Sequence, residues 1–327
     1  MSTAEELERK LDSFFEMVEQ IKKNIYKPSA VESERVDRPL NAIGDIGSLW
    51  HAHTTKIAIT FKPPVAIKAA CQCIEDCSNL VAPLAAAYMG MSDEKDGVLI
   101  RQETRSRIYD LLSVQLQFVK ELKAVPKDQD SEKSGSSNST LVSVGEVWEM
   151  CNKLKELPKL SLAKLVQAKL SEYSKMIQDG LQDLKDWLED PDAADFDFGD
   201  ENSDSEEDNE HNDTNETTTN EDTIKLGERW ADKLVKLEFL YRSISKRRCT
   251  LLSTETLNTI YTQVDELSGL IDDLVCSFLD KNDCSEIQEL SDTVDTKVKS
   301  IVDLVILKNQ DDQFVKWVDL FNKNFYS

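Results

Sequence analysis

Apolar residues recur along almost the whole chain at steps of three and four. Near the start, Leu7, Leu11, Phe14, Val18, Ile21 and Ile25 follow this spacing. On a helix of 3.6 residues per turn they form one stripe, whereas a strand would scatter them over both faces. The same pattern returns with Ile108, Leu111, Leu112, Leu116, Val119 and Leu122, and again with Leu162, Val166, Leu170, Tyr173, Ile177, Leu181 and Leu184. Its interruptions fall at Pro28, Pro63-Pro64 and Pro158, where proline removes a backbone donor. The β-branched clusters KIAIT and IVDLVIL lie inside helical stripes, so no strand is expected. The spacing predicts ten helices, near residues 3–27, 40–61, 64–89, 98–122, 143–157, 161–189, 223–252, 254–280, 285–307 and 311–325. Pro83 should kink the third, and a capping box at Ser143 and Glu146 should start the fifth. The fold class this implies is all-α, a multi-helix bundle.

Charge is concentrated in one place. The chain has 327 residues and a formal net charge of −23, but residues 189 to 222 hold sixteen acids and no Lys or Arg. Setting these aside leaves −7 on the remaining 293 residues. The body is thus only mildly acidic, has no long basic stripe, and is not expected to bind nucleic acid directly. So few apolar residues cannot bury a core, and the acidic tract reads as disordered. The expected organisation is an N-terminal helical bundle over 1–189 with a flexible loop at 127–140, an acidic disordered linker over 190–222, and a C-terminal helical part over 223–327.

Several chemistries lack their residues. The seven cysteines are odd in number and irregularly spaced, which suits free thiols in a reducing compartment. Cys71 and Cys73 lie about 200° apart around a helix axis, and no second Cys pair stands at zinc-finger spacing, so no metal site is expected. There is no G-x-S-x-G and no glycine-rich phosphate loop. No cofactor and no catalytic residue is therefore assigned, and the reading is of a protein that is not an enzyme. The start, MSTAEELERK, is charged, and the apolar run LVAPLAAAYMGM is about half the roughly 20 residues of a membrane span, so no membrane association is expected.

Three stretches resemble the cyclin-D-binding protein family, also described as Grap2- and cyclin-D-interacting proteins. They are LWHAHTTKIAITFKPP, IRQETRSRIYDLLSVQLQFVKEL and LVSVGEVWEMCNKLKELPK. In the third, Val147, Trp148, Cys151 and Pro158 match a similar V-W-x-x-C and Pro, and an acidic Asn-rich stretch follows Asp190-Pro191 as in the family. The resemblance covers about residues 38–220. It implies a five-helix bundle of the vinculin and talin type, and a regulator of nucleus and cytoplasm. It also implies partners that are cyclin-like or helix-loop-helix regulators.

Four candidate contact residues and two candidate modification sites follow. Lys246, Arg247 and Arg248 form the densest basic cluster, a possible dock for the linker or for a partner's acids. Trp50, beside His51, is read as a residue at the edge of a groove. Ser203 and Ser205 lie in SDSEED, where acids one to three residues after each serine suit an acid-preferring kinase. Two functions remain in play: a helical interaction protein that regulates the cell cycle or transcription, and an acidic chaperone of basic, histone-like proteins acting through 190–222.

Overall fold

The computed structural model describes residues 3–27, 36–62, 64–125, 137–191, 221–280, 283–306 and 313–327. Every regular element among them is helical. In chain order they are α1 (Thr3–Asn24), α2 (Pro39–Thr60), α3 (Ile67–Ser78), α4 (Val81–Met89), the single turn α5 (Asp93–Asp96), α6 (Val98–Ala124) and α7 (Ser137–Lys155). After a 3₁₀ turn (Leu157–Lys159) come α8 (Leu162–Glu189), α9 (Glu221–Arg247), α10 (Thr254–Leu279), α11 (Cys284–Val305) and α12 (Gln313–Phe325). The all-α expectation is met.

Two local differences have physical reasons. The predicted kink at Pro83 is instead a break at Asn79–Leu80, which ends α3 and starts α4 at Val81. Pro83 thereby falls in the first turn of α4, where its missing N–H has no intrahelical acceptor to lose. The helix expected from Ser143 already begins at Ser137, and Ser143 is buried inside it rather than capping it.

The chain divides into two compact units, Met1–Leu162 and Ala163–Ser327. In the first, five rods close a ring: α1 packs on α3, α3 on α2, α2 on α7, α7 on α6, and α6 back on α1. Leu7, Leu11, Phe14, Trp50, Ile57, Leu111, Phe118 and Val147 fill its centre, all fully buried. The α2–α7 seam is close because Gly44 and Gly47 stand three apart on one face of α2. A Cβ on Gly47 would lie 2.9 Å from Leu154 Cβ, and one on Gly44 would lie 3.3 Å from Pro158 Cγ.

The second unit contains α8 to α12. Helix α10 packs on α11, and α9 on α11 and α12. Helix α8 joins them through its apolar stripe. Gly180 backs onto Val275 of α10, the Tyr173 hydroxyl meets Asp265, and Trp187 and Leu188 close over Gly227 of α9. Residues 162–189, which the sequence pattern groups with the N-terminal helices, thus take their packing partners from the far side of the acidic tract.

Candidate protein-binding groove

Helices α9 and α12 meet along their lengths but leave a groove of about 360 Å³ on the outside, lined by Lys236, Phe239, Trp317, Leu320, Phe321 and Asn324. Each helix spends its main stripe on the core. On α9 that stripe includes Trp230, Leu234, Leu237, Tyr241 and Ile244; on α12 it is Phe314, Val318, Phe321 and Phe325. Phe239 and Leu320 fall off these stripes and stand 51% and 57% exposed. Trp317, half-buried, stacks on Phe321 and lies tilted against Phe314, with ring centroids 5.6 and 5.5 Å away, so the floor is aromatic. Lys236 fastens the walls: its ammonium donates to the Asn324 carbonyl at 2.6 Å and pairs with Asp232.

Beneath the groove lies a buried polar clamp. Lys233 is almost fully buried and reaches both carboxylate oxygens of Asp295 on α11, at 2.7 and 2.6 Å. Its ammonium also lies 4.7 Å from the Trp230 ring centre and 5.0 Å from that of Phe325. The Trp230 N–H donates to Ser291 Oγ at 2.8 Å. The clamp fixes α9, α11 and α12 together and so holds the groove open in one shape.

The sequence-derived candidates are placed differently. Trp50 is fully buried, and its N–H donates to Gln115 Oε1 at 2.8 Å; it belongs to the core of the first unit, not to a groove. The basic cluster is split, because Lys246 and Arg247 close the exposed end of α9 while Arg248 falls in the turn that follows it. Lys246 and Arg247 are exposed, whereas Arg248 is buried with its guanidinium 4.0 Å from the Phe314 ring centre. Arg248 is therefore a packing residue. Ser203 and Ser205 lie outside the described residues. Phe239 and Leu320 escaped the sequence reading, although their signal was there: each is a large apolar residue off the stripe of its own helix.

The family-like motif is also explained by packing. Val147 and Cys151 are fully buried on α7, and Pro158 sits against Gly44. Trp148 donates from its N–H to Thr55 Oγ1 at 3.1 Å and stacks on His51 at 5.4 Å, tilted by 19°. Burial first, then Lys155, lowers the His51 pKa, so the stacked ring is neutral at pH 7. Burial pushes the Cys77 thiol well up and the Cys151 thiol to about 12, which keeps both protonated and unreactive. Among the described residues no group of three His, Cys, Asp or Glu is placed to hold a metal, and no helix is long and apolar enough to cross a membrane.

The family model described as Grap2 and cyclin-D-interacting, N-terminal, matches residues 42–190. A Xenopus laevis protein named cyclin-D1-binding protein 1 homolog is 32% identical over 133 residues, 40% of this chain and 38% of its own. Residues 42–190, a little under half of the chain, are thus similar to the N-terminal region of the Grap2 and cyclin-D-interacting family. It has relatives along nearly its whole length as well. An uncharacterized protein of Schizosaccharomyces pombe is 25% identical over 91% of this chain and 88% of its own. An uncharacterized protein of Saccharomyces cerevisiae is 24% identical over 98% and 95%. The family region begins in α2, which the first unit buries, and ends just after α8, which packs in the second. The matched region runs through both units, and the groove lies beyond it.

Proposed function

We propose that this chain is a non-enzymatic interaction protein that regulates cell-cycle progression or transcription by binding partner proteins. The observation that carries this reading is the α9–α12 groove, where Phe239 and Leu320 stay exposed beside an aromatic floor in an all-helical chain. Water-exposed large apolar residues beside a preformed groove suit the apolar face of a partner helix. The family name supports it, since it describes proteins by what they interact with. Partners of cyclin-like or helix-loop-helix type, action in nucleus and cytoplasm, and modification at Ser203 and Ser205 complete the proposal.

The test is affinity purification from cells with the full chain, with Phe239→Ala/Leu320→Ala, and with residues 192–220 deleted. Specific partners lost with the double substitution and retained with the deletion are expected. Basic proteins lost only with the deletion, in a salt-sensitive manner, would favour the acidic chaperone instead; the sixteen acids without a base in 189–222 are the observation behind that second reading.

A further inference from the structure

The two walls of the groove share a charge pattern. On α9, Phe239 stands between Lys236 and Arg242, three residues to either side; on α12, Leu320 stands between Lys316 and Lys323. At these spacings each cation lies on the same helix face as the apolar residue it flanks. Lys246, seven residues after Phe239, extends the first row by one turn. Lys236 and Arg242 are partly spent, on Asp232 and Glu238. Lys316, Lys323 and Lys246 are exposed, and none has an ion pair among the described residues. Asp319 is the acid nearest in sequence to Lys316 and Lys323, and it forms no ion pair with either among the described residues, so these cations stay uncommitted around the apolar patch.

We infer that this groove takes an acidic amphipathic helix, one whose apolar stripe covers Phe239, Trp317 and Leu320 while its flanking carboxylates meet Lys316, Lys323 and Lys246. The inference deepens the proposed function and rests on that reading of the groove. The apolar contact supplies most of the affinity, and the charged rim sets orientation and selects against basic helices. The charge of the rest of the chain does not forbid an acidic ligand, because exposed charges are screened beyond about 8 Å at physiological ionic strength.

The probes are three fluorescein-labelled 18-residue peptides. One has Leu and Phe at i, i+4, i+7 and i+11 with Glu on the flanks, the second has Lys in place of Glu, and the third has Ala in place of Leu and Phe. Fluorescence anisotropy with the full chain should show the Glu peptide binding at least tenfold tighter than either control. Phe239→Ala/Leu320→Ala should weaken it at least tenfold. Lys316→Glu/Lys323→Glu replaces only exposed residues with a good helix former, and should shift preference to the Lys peptide. Equal binding of the Glu and Lys peptides, or binding that survives Phe239→Ala/Leu320→Ala, overturns the inference. So does a tenfold gain on deleting residues 192–220, which would make the chain's own acids the occupant. If cellular partners depend on Phe239 and Leu320 while the peptides show no charge preference, the proposed function stands and this inference alone fails.

Discussion

Three glycines separate packing from propensity. All are helical, so each would gain up to about 1 kcal/mol of helix propensity on becoming alanine. Gly145 and Gly269 have nothing within 4 Å of an added Cβ, and alanine at either should stabilise the chain by roughly 0.5–1 kcal/mol. At Gly47 the new methyl would meet Leu154 Cβ at 2.9 Å and the Cys151 carbonyl at 3.2 Å, neither of which is the loose end of a side chain. Gly47→Ala should therefore lose about 1–2 kcal/mol in urea unfolding, opposite in sign to the other two. Cys151 gives a pH signature in the same seam. Its thiol ionises near 9.0 when unfolded and near 12 when folded. Between these values the unfolded chain has shed a proton that the folded chain keeps, so stability falls as pH rises from 9 towards 12. Urea midpoints measured in reducing buffer at pH 8, 9 and 10 should show this decline, and Cys151→Ala should lessen it. The sequence showed that Cys151 belonged to a motif; only the fold shows that the motif is a packing seam.

Among the helices, the clearest contrast is between what holds α9, α11 and α12 and what they offer outside. The Lys233–Asp295 pair is shielded on the lysine side, and the Asp295 side chain is 25% exposed. Lys233→Met should cost about 2–3 kcal/mol by stranding the carboxylate, and Lys233→Met/Asp295→Leu should recover much of that; a double-mutant cycle on thermal unfolding measures the coupling. Helix positions were legible from the period of the apolar residues, because burial on one side enforces that period wherever a helix packs. The break between α3 and α4 was not, since Pro83 tolerates either a kink within one helix or a place in the first turn of the next. The groove was not legible either. A stripe reports what faces the core, while Phe239 and Leu320 matter because two helices bring their outer faces together.

For the molecule as a whole, the informative comparison is between fragments. α8 buries Val166, Leu170, Tyr173, Ile177, Leu184 and Trp187. Each is worth about 1.5–3 kcal/mol on burial, so the set rivals the entire 5–15 kcal/mol stability of a typical domain. Residues 163–327 should fold as a fragment with a cooperative thermal transition. Residues 192–327, which lack α8, should show no such transition and should aggregate; calorimetry of the two fragments makes the comparison. Composition marks the acidic tract as a discontinuity, but composition cannot say whether a discontinuity separates two bodies or interrupts one. With Trp187 and Leu188 of α8 against Gly227 of α9, the segment between Pro191 and Glu221 leaves and re-enters the same unit. In polymer terms it is a closed ring, not a leash. Because both of its ends lie in the second unit, its length sets no distance between the two units.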